Sequence, residues 1–152
     1  MRIALASDHA GFQLKDRLVA QLAADGHDTI DLGTESEESV DYPLYAEPAA
    51  RMVATGEADR AVLVCGSGNG VAIVANKVAG VRAVNAHDVH EAEMARRHND
   101  ANVVTLSGAR LDAEAAGEIV GAFLRTGFEG GRHERRVNQI SALERSATET
   151  TA

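Results

Sequence analysis

Cys65 is the single cysteine in a chain of 152 residues, and it stands directly before Gly66-Ser67-Gly68-Asn69-Gly70. A thiol at the end of an apolar run, ahead of a turn that opens a helix, is placed to act as a thiolate base or nucleophile, because helix N-termini favour anions. The plain alternative is a small buried hydrophobe closing a core strand. The glycine loop departs from both common nucleotide signatures: Val71 breaks the GxGxxG spacing, and no Gly-Lys-Ser/Thr follows at the Walker offset. What remains is a turn whose backbone N–H groups can approach an anion closely, and a tight turn without a ligand is the competing reading.

Other residues suited to chemistry recur at the ends of apolar runs. Asp8 and His9 follow the first run, where a carboxylate and an imidazole could bind a substrate hydroxyl and a phosphate. Asp8 could equally cap the next helix. Arg110, Arg132, Arg135 and Arg136 are cations in an acidic chain. Guanidinium forks bind phosphate bidentately, and Arg132 and Arg136 share a face at i, i+4, whereas Arg135 reads as solvated. His87, His90, Glu91, Met94 and His98 invite a test as a metal site. HEAEM is not HExxH and there is no second thiolate, so no metal is expected there. His98 falls at a helix C-terminus, where the dipole favours the cation and suits an acid.

The elements that must hold these residues alternate along the chain. RIALAS (2–7) reads as a buried strand, and residues 11–26 as an amphipathic helix with Leu14, Leu18 and Leu22 on one face. A strand in HDTIDLG, a polar acidic loop and a helix from Pro43 to about Gly56 follow. RAVLVC (60–65) is the third strand, and a helix runs from about Asn69 to Val78. VRAVNA and ANVVTLSG are strands four and five, separated by the helix HDVHEAEMARRHND and followed by the helix DAEAAGEIVGAFLRTG. Five strands alternating with helices predict an α/β three-layer fold around a parallel sheet, whose ligands bind at the carboxyl ends of the strands. Beyond Gly130 and Gly131, RHERRVNQISALE predicts an extra C-terminal helix with a stripe at Val137, Ile140 and Leu143, able to pack across a second subunit. Residues 1–145 read as one domain and 146–152 as a disordered tail.

Composition removes several functions. A formal charge of -8 would repel phosphate backbones, and 3% aromatics leave no stacking platform, so nucleic acid is a poor partner. No apolar stretch approaches a membrane span or a signal-peptide core, and a lone cysteine forms no internal disulfide, so the cytoplasm is the expected compartment.

Taken together and in order, SDHAGFQLK (7–15), DYP (41–43), VCGSGNGVAIVANK (64–77), RRHNDANV (96–103), SGAR (107–110) and GGRHERRV (130–137) resemble the type B ribose-5-phosphate isomerases. That family also includes the allose and galactose 6-phosphate isomerases. The resemblance runs from Arg2 to about Glu144. It implies a Rossmann-like sheet, a homodimer or tetramer with active sites at the subunit interface, no cofactor or metal, and interconversion of aldose and ketose phosphates through an enediolate. Carried over by motif, Cys65 resembles the base that moves a proton between carbons one and two. Ser67 would assist at the hydroxyls, the N–H groups from Gly66 through Gly68 and Asn69 to Gly70 would stabilise the oxyanion, and His98 would open the ring. Asp8 would bind ring or hydroxyl oxygens with Asn99 adjacent, and His9, Arg110, Arg132 and Arg136 would hold the phosphate. Some members lack the cysteine and carry glutamate at the position of Val71; here the thiol is the base expected at this spot. The chemistry is consistent with the residues, since proton abstraction beside a carbonyl needs a positioned base and fixed dipoles. Ribose 5-phosphate is the first substrate expectation. A tetrose or hexose phosphate, with length set around Tyr42, and a non-catalytic sugar-phosphate binder are the alternatives.

Overall fold

The computed structural model describes residues 1–150, with side chains through residue 147. Strands β1 (Arg2–Ser7), β2 (Asp28–Asp31), β3 (Arg60–Cys65), β4 (Ala83–Asn85) and β5 (Val103–Ser107) form one parallel sheet in the order β2-β1-β3-β5-β4. Helices α1 (Phe12–Ala24), α2 (Pro43–Thr55), α3 (Asn69–Asn76) and α4 (Val89–Asn99) supply the four connections, and α5 (Ala113–Arg125) and α6 (Arg132–Thr150) follow the last strand. The architecture is the three-layer α/β fold expected from the alternation.

Side chains alternate across each strand, so the two faces divide by parity. Ile3, Leu5, Val62, Val64, Val104 and Leu106 meet Leu14, Leu18 and Leu22 of α1 and Ile119 and Phe123 of α5 on one face. Ala4, Ala6, Ala61, Leu63 and Cys65 meet Ala46, Ala49 and Ala50 of α2 and Val71 and Ala75 of α3 on the other. The second face is rich in alanine, which lets α2 and α3 lie close to the sheet over Cys65.

Two features of the topology position the site. After β1 the chain moves outward to β2 and then crosses to β3, so the switch point lies between the carboxyl ends of β1 and β3. From β4 at the sheet edge the chain reverses direction to reach β5. A right-handed crossover in that sense places α4 on the face of α1 and α5.

Element lengths differ modestly from expectation. VRAVNA pairs only over Ala83–Asn85, and α3 ends at Asn76. The polar stretch from Ser146, expected to lack structure, continues α6 as helix to Thr150, and residues 151–152 of that tail lie outside the described residues. On α6 Val137 is buried, but Ile140 and Leu143 are exposed at 39% and 70%.

Candidate active site

The carboxyl edge of the sheet gathers most of the sequence-predicted residues. Asp8 is 7% exposed, and its Oδ1 accepts the N–H groups of Ala10 at 3.0 Å and Gly11 at 3.1 Å. Those bonds close the turn ahead of α1, whose N-cap is Gly11 with no side-chain cap, so Asp8 is not the helix cap, and its Oδ2 takes no hydrogen bond among the described residues. His9 Nδ1 accepts the N–H of Val40 at 3.1 Å. That bond commits the neutral ring to the tautomer with hydrogen on Nε2, leaving a donor available to an anion.

Cys65 closes β3, 4% exposed, and the N–H of Gly68 donates to its Sγ at 3.2 Å. Gly68 reaches that position at φ 79°, a left-handed backbone that suits glycine. Ser67 Oγ accepts the N–H of Asn69 at 3.1 Å. Two amides of the Gly66–Gly70 loop are thus used internally. Those of Gly66, Ser67 and Gly70, with Val71 in the first turn of α3, have no partner among the described residues, so they are the donors open to an oxyanion.

Neighbouring elements clamp the loop from outside. Ser107 Oγ donates to the Gly66 carbonyl at 2.7 Å, Thr105 Oγ1 to the Gly68 carbonyl at 2.9 Å, and Gly108 N–H to the Cys65 carbonyl at 2.8 Å. Asn85 Nδ2 donates to Ser67 O at 3.1 Å and Asn69 Oδ1 at 2.7 Å, while its own Oδ1 is buried without a partner. Sequence reasoning passed over Asn85, although its place at the carboxyl end of β4 would have flagged it. Tyr42, at the start of α2, lies against Gly70 so closely that a Cβ there would meet its ring at 2.7 Å. Arg110 follows β5 on the same edge, exposed and without an ion pair among the described residues.

His98 and Asn99 lie elsewhere. Helix α4 runs back toward the amino edge, where the Asn99 carbonyl accepts from Arg82 Nε at 2.9 Å, just before β4. Four strand steps from Val103 to Ser107 put roughly 13 Å between the two edges, so one chain does not bring His98 to Cys65. Arg132 and Arg136 join the His98 group through the first turn of α6, where His133 stacks on His98 with ring centroids 4.2 Å apart and planes 7° apart. Burial, the adjacent His98 and Arg132 together hold the His133 imidazole below its ordinary range, and Glu129 opposes them. His133 went unremarked in the sequence despite sitting within the Arg132–Arg136 turn. Of the other residues weighed as a metal site, His87 and Glu91 are held at the start of α4: Asp88 Oδ1 caps the helix through Glu91 N–H at 2.8 Å, and Glu91 Oε2 accepts the His87 N–H at 2.7 Å.

The chain matches the Ribose/Galactose Isomerase family model over residues 3–140. It is 46% identical over 143 residues to ribose-5-phosphate isomerase B of Escherichia coli, covering 94% of this chain and 96% of that one. Among solved structures, the ribose 5-phosphate isomerase of Thermotoga maritima is 46% identical, with a TM-score of 0.91 over 93% of this chain and 97% of that one. The ribose-5-phosphate isomerase B of Mycoplasma genitalium, solved with bound ribulose-5-phosphate, is 38% identical, with a TM-score of 0.91 over 95% and 96% of the two chains. With a matching model across most of its length and relatives at this identity, the chain belongs to the ribose/galactose isomerase family.

Proposed function

We propose that this protein interconverts ribose 5-phosphate and ribulose 5-phosphate by moving a proton between carbons one and two. The observation that carries the reading is the Cys65 thiol, held at the start of α3 beside backbone donors that have no other partner. Cys65 acts as the base, Ser67 assists at the sugar hydroxyls, and the open amides of Gly66, Ser67 and Gly70 meet the enediolate oxyanion. Asp8 binds a sugar oxygen. His9, through Nε2–H, and Arg110 hold the phosphate, whose remote binding energy fixes the open chain in a reactive pose.

The site requires a second copy of the chain. His98 as ring-opening acid, Asn99, Arg132 and Arg136 sit on the opposite edge from Cys65, so they serve the site of a neighbour in a homodimer or tetramer. Exposed Leu44, Ile73, Ile140 and Leu143 on α2, α3 and α6 are large apolar groups that such packing would cover.

Proton NMR of ribose 5-phosphate in deuterium oxide with chelator present tests the reaction. Ketose formation with deuterium entering at carbon one is expected, because the proton leaves carbon two of the aldose and is returned to carbon one. Binding without turnover would leave a sugar-phosphate binder instead, and faster turnover of a tetrose or hexose phosphate would move the substrate class while keeping the chemistry.

A further inference from the structure

Three side chains able to ligate a metal converge away from the glycine loop: His98 from the last turn of α4, Glu129 from the connection after α5, and His133 from the first turn of α6. Glu129 Oε2 lies 3.9 Å from His98 Nε2 and 3.8 Å from His133 Nε2, and one ligand atom from each falls within 4.8 Å of the others. Backbone geometry creates the meeting. The Glu129 N–H donates to Arg97 O at 3.1 Å, and Gly130 and Gly131, at φ 67° and 59°, turn the chain so that His133 N–H closes on Gly130 O at 3.1 Å.

Two imidazoles and one carboxylate form a recognised ligand set for zinc, with a fourth position left for water. Bonds of about 2.0–2.2 Å in tetrahedral geometry set ligand atoms roughly 3.4 Å apart. Closing the two Glu129 separations needs about half an ångström and the separation between the imidazole nitrogens up to about 1.4 Å, plus a tilt of the stacked rings so that their lone pairs converge. Glu129 and His98 are both partly exposed and can supply that movement. Arg132 and Arg136 on the same turn oppose a dication, and the carboxylate offsets part of that repulsion.

We propose that His98, Glu129 and His133 form an inhibitory site for a zinc-type divalent cation, which withdraws His98 from the sugar when it binds. The inhibitory part rests on the ring-opening role given to His98. Imidazole nitrogen favours zinc, copper or nickel over magnesium or calcium, so the site discriminates against the hard cations.

The test uses the full chain, stripped with chelator and titrated with zinc or magnesium against a chromophoric chelator, with cobalt(II) absorption reporting geometry. One zinc per chain and no competing magnesium are expected. Glu129→Gln and His133→Asn each weaken zinc binding by about tenfold or more and relieve inhibition of ribose 5-phosphate turnover, with thermal melts confirming that both variants fold. Absence of zinc binding to the wild-type chain overturns the proposal. Zinc inhibition unchanged in His133→Asn also overturns it and assigns the ion to Cys65, which a sulfur-to-cobalt charge-transfer band would report. Turnover without zinc binding defeats this site and leaves the isomerase reading standing; zinc binding lost in the variants, without any metal-free turnover, does the reverse.

Discussion

The backbone N–H of Gly68 points at Cys65 Sγ from 3.2 Å, within a turn closed by the left-handed conformation of Gly68 itself. The hydrogen bond gains strength when the sulfur carries charge, because charge-assisted bonds are about twice as strong as neutral ones. The loop that would receive the oxyanion also steadies the thiolate. Cys65→Ala is therefore expected to lower kcat by about 10²–10⁴-fold, with ribose 5-phosphate binding retained by calorimetry. Turnover within a few-fold of wild type would remove the thiol from the mechanism.

Gly68 tests the same relationship from the backbone side. A Cβ on Gly68 would collide with Asn85 Oδ1 and meet the Leu106 carbonyl carbon at 3.0 Å, in a conformation that L side chains rarely adopt. Gly68→Ala is expected to cost about 1–3 kcal/mol of stability and to lower kcat more than it raises KM. Asn85→Ala removes the tethers to Ser67 and Asn69 but also a buried unpaired oxygen, so its stability should change by less than about 1 kcal/mol while kcat still falls. Thermal melts beside steady-state kinetics separate the two; an unaffected kcat in both would mean that loop geometry is immaterial to the chemistry.

Five strands could be read from the sequence because buried parallel strands are short continuous apolar runs between turns. The residues on their carboxyl ends, Asp8, His9, Cys65 and Arg110, were legible for the same reason. Strand order was not, since the insertion of β5 between β3 and β4 depends on which face each crossover helix covers. The position of His98 opposite Cys65 follows only from the direction of α4 in the assembled sheet. The grouping of His98 with Glu129 and His133 spans more than thirty residues of chain and is closed by the Gly130–Gly131 turn, which no periodicity announces.

The separation of Cys65 from His98 predicts complementation between inactive chains. Cys65→Ala and His98→Asn homo-oligomers should each be nearly inactive on cyclic ribose 5-phosphate. When dissociated together and refolded, half of randomly assorted dimers pair unlike chains, and each such dimer holds one site with both wild-type residues. Recovery toward about a quarter of wild-type activity is expected for a two-fold assembly. No recovery, with mixed species verified by mass spectrometry, would show that the two residues do not share a site. His98→Asn alone should spare acyclic substrates relative to cyclic ones.

Lys15 supplies a stability prediction tied to the scaffold of Asp8. Its side chain is 1% exposed, and Nζ lies 2.7 Å from both carboxylate oxygens of Asp31 and 5.6 Å from the Phe12 ring centroid. Asp31 Oδ1 also accepts the Gly33 N–H at 2.9 Å, which fixes the turn whose Thr34 N–H bonds Ser7 O at 2.9 Å, one residue before Asp8. Asp31→Ala leaves the buried ammonium with only the exposed Asp16 carboxylate at 3.8 Å and is expected to cost about 3 kcal/mol. Lys15→Met leaves a carboxylate that is 35% exposed and still hydrogen-bonded to Gly33, so it should cost less than about 2 kcal/mol, because an apolar replacement of a buried charge is often well tolerated. Urea unfolding of both variants measures the ranking. An equal or larger loss in Lys15→Met would mean that Asp31, rather than the buried ammonium, bears the penalty when the pair is broken. Because Asp31 also steadies the turn beside Asp8, Asp31→Ala should lose kcat even at temperatures where it remains folded, and Lys15→Met should keep most of it.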